Sequence, residues 1–469
     1  MIAGPETPKS PQPPAFPQQQ QASPPPAYNH HQNYAQVRPY PVATTPIIEI
    51  GVVRVRESAG RRFLRAFCIA TFIWLLLSLL AQSTVTALRY YGGGGLFNGK
   101  YQWPIVSGVT LQECVQGDSW TQVKYPNSSW NYQSETSFDL PLSSDTLFLL
   151  SRGYQNGGSL DVVTSKDQAS DSVKVHVDIY YRHSSALEQV KACLLTRKAA
   201  ENGVGIFTPE WRRDYERHLY PITFRLQFIL PEVHPRPLVV KNFETDLPNG
   251  RQAFAYLSEK VLFDRVAIHG SNGGIHADGV TVTDGNFRTT NGGIDGTYNS
   301  TQNLKLRTTN GSIRVDVGLT NDGDTPDLDV STSNGMVAAS ISLLTTSKHN
   351  TGGSFTVSTT TTNGRLNVDF PASPVDSTLD YNARTSNGYA TVSLNPAYEG
   401  TFNLYTSNSS PKVEQRKSVE DPSGKKRQRT VHVKNGPIKN FVSGDVSWGG
   451  KAEGKVVVST SNSALLLKV

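Results

Sequence analysis

Apolar residues follow two different patterns along this chain. Between 66 and 88, 23 consecutive residues carry no charge. As a helix this run spans about 35 Å, which exceeds the bilayer hydrocarbon core of about 30 Å. From 101 onward apolar and polar residues alternate instead, as they do in strands that bury one face. The two patterns predict one transmembrane helix followed by an all-β region.

The alternation in 241–469 is organised by a repeated Ser/Thr-Asn-Gly triplet. The first asparagines of the series are 19 residues apart, and later intervals are longer. A recurring unit of this length with loop insertions is typical of stacked coils. The predicted corner residues are Asn272, Asn291, Asn310, Asn334, Asn363 and Asn387, and Asn408 and Asn462 follow in variants that have serine after asparagine.

The residues around each asparagine predict the same register in every copy. Positions four before and three after it are mostly apolar, as at Ile268 and Ile275. Each coil is therefore predicted as strand, Asn-Gly corner, strand, with these positions inward. An Asn-Gly corner is expected to supply positive φ angles, which also suits a β-hairpin. Because like residues recur at one offset, stacking at about 4.8 Å is favoured, and we predict a β-solenoid.

The region before the repeat is also predicted to be β. A Gly-rich linker covers 89–100, and 101–240 contains strand-like runs such as 173–181, where Val and Ile alternate with polar residues. This pattern predicts a β-sandwich-like unit. A short helix is predicted near 185–200.

The first 46 residues consist largely of Pro, Gln, Ala and His with few aliphatic side chains. Such a segment buries too little apolar surface to offset the entropy of ordering, so 1–46 is predicted to be disordered. Within it, Pro25, Pro26 and Tyr28 form a P-P-x-Y motif. Proline pre-sets the polyproline II helix that WW domains bind, so a WW-domain protein is a predicted partner.

Flanking charge predicts the orientation of the apolar run. The juxtamembrane segment 47–65 carries five arginines from Arg54 to Arg65, whereas Arg89 and Lys100 alone follow closely. The N-terminus is therefore expected in the cytoplasm, and 89–469 outside the cell or in a lumen of the plasma membrane or endomembrane system. A cleaved signal peptide is disfavoured because about 65 residues precede the run, and a buried core helix because it lacks a polar stripe.

Modification sites agree with that topology. The sequons Asn127, Asn299, Asn310 and Asn408 all follow the apolar run. Of three cysteines, Cys68 lies within the run, which leaves Cys114 and Cys193 for one disulfide or as free buried thiols.

Charge and motifs exclude several functions. The net charge of +6 is concentrated in two short runs, near 54–65 and at Lys425–Arg429, without interleaved aromatic residues, so nucleic-acid binding is not expected. The second run is either a dibasic processing site or an exposed charged loop. No H-E-x-x-H, C-x-x-C or phosphate-binding glycine loop occurs, so neither a metal nor a cofactor is predicted.

Acidic residues in the repeat raise the question of glycan cleavage, which some parallel β-helices perform with paired carboxylates. Several stand beside glycine, so solvated corners and edge-protecting charges are the favoured explanation. The aspartates concerned are Asp278, Asp284, Asp295, Asp316, Asp329 and Asp369.

The Thr-x-Asn-Gly coils resemble the Putative adhesin family of β-solenoid domains found in bacteria and fungi. The resemblance covers about 240–469. A Pro/Gln-rich tail, an apolar helix and a solenoid in this order look like fungal single-pass membrane members of that group. The resemblance implies the fold and says little about activity.

These observations favour a non-enzymatic, membrane-anchored adhesin-like protein whose solenoid contacts glycan or protein through many weak, repeated interactions. A membrane adaptor that recruits a WW-domain ubiquitin ligase through the P-P-x-Y motif is the alternative. A carbohydrate-active β-helix enzyme is the third hypothesis.

Overall fold

The computed structural model describes Thr71 and residues 103–124, 130–210, 221–233, 235–437, 439–449 and 453–469. Strands dominate this part of the chain. The first nine are β1 Thr110–Gln116, β2 Thr121–Gln122, β3 Tyr132–Pro141, β4 Thr146–Arg152, β5 Gly158–Ser165, β6 Ser172–Tyr181, β7 Lys191–Thr196, β8 Glu201–Phe207 and β9 Ile222–Pro231. The next nine are β10 Leu238–Asp246, β11 Gly250–Tyr256, β12 Val261–His269, β13 Ile275–Arg288, β14 Ile294–Arg307, β15 Ile313–Asn321, β16 Asp327–Ser331, β17 Val337–Thr345 and β18 Ser354–Thr360. The last nine are β19 Leu366–Asp369, β20 Thr378–Arg384, β21 Ala390–Ser393, β22 Gly400–Thr406, β23 Pro411–Glu414, β24 Thr430–Asn435, β25 Phe441–Ser447, β26 Gly454–Thr460 and β27 Leu465–Lys468.

Helical structure in the described residues is confined to Thr71 and two 3₁₀ helices, Gly117–Ser119 and Ser184–Gln189. The helix predicted near 185–200 is thus reduced to about two turns of 3₁₀ helix. It ends because Lys191–Thr196 is largely buried as a strand that pairs antiparallel with both β1 and β8.

The prediction of a transmembrane helix, and with it of a single-pass membrane protein, is wrong for the part of the chain that the structure describes. None of its helices has the length and apolar character needed to cross a bilayer. The run 66–88 lies outside the described residues apart from Thr71, as do 1–46, 47–65 and 89–100.

Parallel pairing of successive copies organises the repeat. We call one strand, its asparagine corner and the following strand a coil. Ile275 aligns with Ile294 and Ile294 with Ile313, so like residues lie over like residues. The same register holds before the corner, where Phe287 aligns with Leu306.

The predicted sandwich-like strands belong to the same sheet as the repeat. Strands β4 and β5 pair in parallel with β10 and β11, which in turn pair with β12 and β13. Hydrogen bonding therefore continues across the boundary expected at residue 240. The reason is that β4 and β5 flank their own Asn-Gly pair and form a coil like those that follow.

Both ends of the stack depart from chain order. At the first end, β8 and β9 add a further pair of parallel strands outside β4 and β5, although the residues between them include no asparagine. At the other end, β26 and β27 lie between the coil of β20 and β21 and the coil of β22 and β23. Antiparallel strands then cover the outermost coils, with β6 on β9, β7 on β8 and β25 on β22. These antiparallel strands reduce the number of unpaired backbone N–H and C=O groups with which a strand of another chain could pair.

The inward positions form one continuous core. Residues four before and three after the predicted corners, such as Ile268, Leu306 and Ile294, are fully buried. This burial confirms the predicted register. Aromatic rings pack edge to face between coils, with Phe254 6.0 Å from Phe287 and Phe287 5.0 Å from Tyr298 between ring centroids. Each such buried side chain contributes about 1.5–3 kcal/mol through its apolar surface.

Candidate functional site

The asparagine corners form a hydrogen-bonded row along one edge of the stack. In each pair, the Nδ2 of one asparagine donates to the Oδ1 of the preceding asparagine in the stack, over nine bonds of 2.5–2.7 Å. We call this the asparagine row. In stacking order its members are Asn156, Asn249, Asn272, Asn291, Asn310, Asn334, Asn363, Asn387, Asn462 and Asn408.

Sequence reasoning found eight of these ten residues and missed Asn156 and Asn249. Both precede glycine, at Gly157 and Gly250. The Asn-Gly pair was therefore present, but no Ser or Thr stands before it. The signal that could have found them is the asparagine-glycine dipeptide alone.

The glycine of each Ser/Thr-Asn-Gly corner has a different role from the one predicted. None of the Ser/Thr-Asn-Gly corners has a positive φ at asparagine or glycine. Instead, a Cβ on Gly311 would lie 1.9 Å from the carbonyl oxygen of Gly292, and one on Gly335 would lie 1.8 Å from that of Gly311. Glycine is needed because neighbouring backbones approach too closely for any side chain.

Threonine two residues before the asparagine secures the corner. Thr308 Oγ1 donates to the carbonyl oxygen of Gly292 at 2.8 Å, and Thr332 does the same to Gly311 at 2.9 Å. Where serine follows the asparagine, the threonine donates within its own coil instead, as from Thr460 Oγ1 to the carbonyl oxygen of Ser463 at 2.5 Å. A buried hydroxyl thus finds a partner in both kinds of corner.

The asparagine row offers repeated polar groups to solvent. From Asn272 onward every member is exposed. Each of these amides donates one N–H bond within the row and all but the last also accept one, which leaves an N–H donor and acceptor capacity on Oδ1. The preceding residue supplies a hydroxyl, as at Thr290 and Thr309, both exposed. The surface can therefore make the same small set of hydrogen bonds on every coil.

A charged clamp lies on the strand after the corner. The imidazole of His276 bonds Asp295 through Nδ1 and Asp278 through Nε2, the latter at 2.9 Å. The bond to Asp295 raises the pKa of His276, against the lowering effect of burial, and Asp278 adds to the rise. This clamp ties two coils together.

The six aspartates considered for glycan cleavage are spread over five strands, with Asp278 and Asp284 both on β13. Two of them form the clamp with His276. Asp284 accepts a bond from Asn303 Nδ2 at 2.6 Å, and Asp329 pairs with Arg307. These contacts give four of the six carboxylates a structural partner.

The predicted modification sites fall into three environments. Asn310 and Asn408 are exposed members of the asparagine row. Asn299 is half-buried in β14, where its Nδ2 donates to Ser258 Oγ at 3.3 Å. Asn127 lies outside the described residues, as does the P-P-x-Y motif of Pro25, Pro26 and Tyr28. The WW-domain partner stays a prediction.

Cys114 and Cys193 form a disulfide. The two residues are directly opposite in the antiparallel pair of β1 and β7. The bond therefore fastens an outer strand to the antiparallel cap at the first end of the stack.

The basic run Lys425–Arg429 is partly anchored. Arg427 donates to Asp421 at 3.1 Å and to Glu399 at 3.1 Å, and its guanidinium lies 5.8 Å from the ring centroid of Trp448. Burial opposes ionisation of Asp421, but hydrogen bonds from Arg427 and Ser423 outweigh it and hold the pKa of Asp421 well below its usual range. Within the run, the adjacent lysines remain exposed.

Comparisons with known proteins cover parts of this chain. Residues 320–422 match a family described as Domain of unknown function (DUF7330). No curated protein matches the sequence. A solved structure described as a putative cell adhesion protein from Clostridium sporogenes aligns over 72% of this chain and 99% of its own, with 10% identity and a TM-score of 0.18. The chain is thus similar, from β15 to just beyond β23, to a family without an assigned function.

Proposed function

We propose that this protein is a non-enzymatic, adhesin-like protein in which the parallel stack is a β-solenoid that presents the asparagine row to a glycan or protein partner. The observation that carries the proposal is the row itself. The same exposed amide recurs on consecutive coils, at intervals of about 4.8 Å.

Repetition favours an extended partner over a small molecule. Each corner offers one or two hydrogen bonds, which contribute about 0.5–1.5 kcal/mol each in water. Such contacts are weak singly but accumulate when one polymer engages several coils, because the second and later contacts are intramolecular. A polysaccharide with hydroxyls along its length, or an extended polar peptide, has the matching chemistry.

The disulfide supports an extracellular or lumenal location. Disulfides persist in oxidising compartments and are rare where glutathione keeps thiols reduced. The bond between Cys114 and Cys193 is buried at Cys193 and joins two paired strands. We therefore place 101–469 outside the cytoplasm in this proposal.

The test is retention of purified protein on insoluble cell-wall polysaccharides and on intact cells. One variant changes the hydroxyl residues beside three consecutive corners to glutamate, at Thr309, Ser333 and Thr362. The matched control places three glutamates on the other outward face of consecutive coils, at Ala338, Asn367 and Thr391, which are aligned with one another.

We expect the corner variant to lose at least about tenfold in retention, because three charges block several contacts at once. The control should bind as the unaltered protein does. Equal retention by both variants, or no binding of the unaltered protein to any polysaccharide or cell, would overturn the proposal. Circular dichroism of both variants establishes that they are folded.

A further inference from the structure

A compact group of donor atoms lies on the antiparallel cap, away from the asparagine row. Glu135 and Asp178 are opposite each other in the pairing of β3 and β6, and Ser137 is opposite His176. Alternation along each strand directs all four side chains to the same outer face. Glu135, His176 and Asp178 have one donor atom each within 4.8 Å of the others.

The two distances from His176 are slightly longer than those between ligands around a zinc ion. His176 Nε2 lies 3.6 Å from Asp178 Oδ1 and 3.7 Å from Glu135 Oε2. Both separations are too long for a hydrogen bond. In a tetrahedral zinc site with bonds of about 2.0–2.1 Å, neighbouring donor atoms are about 3.4 Å apart. A small inward movement therefore brings all three onto one cation.

Neighbouring side chains already orient the donors. Ser137 Oγ is 2.9 Å from His176 Nδ1, and a proton on that nitrogen leaves the lone pair of Nε2 directed at the carboxylates. Gln133 Nε2 donates to Asp178 Oδ1 at 2.9 Å. Supporting bonds to the far nitrogen of the histidine and to a ligating carboxylate are what metal sites use to fix their ligands.

We propose that Glu135, His176 and Asp178 bind a divalent transition-metal ion of the zinc class. One imidazole and two carboxylates suit zinc, whereas calcium and magnesium take oxygen ligands almost exclusively. Three protein ligands leave a fourth position open to water or to a carboxylate from another molecule. The ion would clamp β3 to β6 at the capped end of the stack.

The arginine beside this group is paired with another carboxylate. Arg225 is opposite Asp178 on β9, and its Nε is 3.3 Å from Asp161 Oδ2. The arginine is therefore held toward β5. Asp178 is the most buried of the three proposed ligands, with 10% of its side chain exposed against 41% for Glu135.

A second histidine provides a matched control. His276 also has two aspartates, but one bonds Nδ1 and the other Nε2, on opposite sides of the ring. Those carboxylates cannot share an ion with one imidazole nitrogen. His276→Gln should thus leave metal binding unchanged.

The experiment is isothermal titration of the full chain, stripped with chelator, with ZnCl₂ and separately with CaCl₂, together with metal analysis after dialysis. We expect one zinc per chain with micromolar affinity and no calcium binding. His176→Gln and Glu135→Gln should each weaken zinc binding at least about tenfold. Because Glu135 is partly exposed, its variant keeps the fold, and zinc should raise the melting temperature of the unaltered protein but not of this variant.

Two outcomes would overturn the proposal. One is the absence of stoichiometric zinc binding by the unaltered chain. The other is equal binding by His176→Gln and His276→Gln, which would place the metal elsewhere. Calcium binding in place of zinc would contradict the assigned ion class.

Discussion

Gly335 offers a direct test of the close approach between coils. It follows Asn334 at the corner between β16 and β17. A Cβ at this position would lie 1.8 Å from the carbonyl oxygen of Gly311, and real Cβ atoms essentially never come closer than 3.0 Å to another heavy atom. Gly335→Ala therefore requires the corner to move by more than roughly 1 Å.

The cost follows from the bonds that such a movement breaks. Four hydrogen bonds of 3.1 Å or less hold this corner to the preceding coil, two from backbone N–H groups and two from side chains. They run from Ser333 N and Asn334 N to Thr309 O at 3.1 and 2.9 Å, from Thr332 Oγ1 to Gly311 O at 2.9 Å, and from Asn334 Nδ2 to Asn310 Oδ1 at 2.7 Å. At about 1 kcal/mol each, their loss lowers the free energy of unfolding by about 4 kcal/mol.

The assay is urea-induced unfolding followed by circular dichroism, with Gly250→Ala as the control. A Cβ on Gly250 meets its nearest neighbour, Leu247 Cβ, at 3.6 Å, an ordinary contact. Gly250→Ala should therefore change the free energy of unfolding by less than about 1 kcal/mol. The change is stabilising if the reduced conformational entropy of the unfolded chain is the larger effect. Equal unfolding midpoints for Gly335→Ala and the unaltered protein would refute the close-approach explanation.

Three further predictions test the register, the clamp and the disulfide. Ile294→Asp buries an unpaired charge and should lower the free energy of unfolding in urea by several kcal/mol. Arg314→Ala, on the exposed face, should lower it by less than about 0.5 kcal/mol. Equal effects of the two substitutions would contradict the register. Because the pKa of His276 is raised above its ordinary value of 6.5, the protonated clamp stabilises the fold below pH 6.5, and this stability is lost as the pH rises through the raised pKa. The melting-temperature difference between unaltered protein and His276→Gln should therefore shrink at higher pH, and a difference independent of pH would rule out the clamp. Cys114→Ser should lower the free energy of unfolding by about 2–4 kcal/mol, and a reducing agent should do the same to the unaltered protein but not to the variant; no effect of either would argue against the bond.

The inward face of the repeat could be predicted because two constraints act together. Alternation specifies which residues share a face, and the fixed asparagine removes the freedom to slip by one residue. Ile268, Leu306 and Ile294 are accordingly buried as expected. The corner conformation could not be predicted in this way. An Asn-Gly pair is typical of positive φ, and its alternative use, close backbone contact between coils, depends on what lies above and below.

The order of the end coils was also beyond the sequence pattern. Every coil carries the same alternation, so the pattern does not say which two coils are neighbours. The long interval between Asn408 and Asn462 was the one sign that the chain leaves the stack and returns. The proposed metal-binding group of Glu135, His176 and Asp178 could not be predicted for a related reason. Glu135 and His176 are far apart in sequence, and only the pairing of β3 with β6 brings them together.

The out-of-order coils at the two ends determine where the protein can change length. Between 261 and 369 each coil pairs with the coil before it and the coil after it in sequence. A whole unit can be duplicated or deleted there without altering any inward position, and each one changes the reach of the stack by about 4.8 Å. Beyond residue 378, duplicating or deleting a unit would separate strands that pair with one another out of chain order. Length variation among related chains should therefore be concentrated in the middle of the stack, with both ends kept intact.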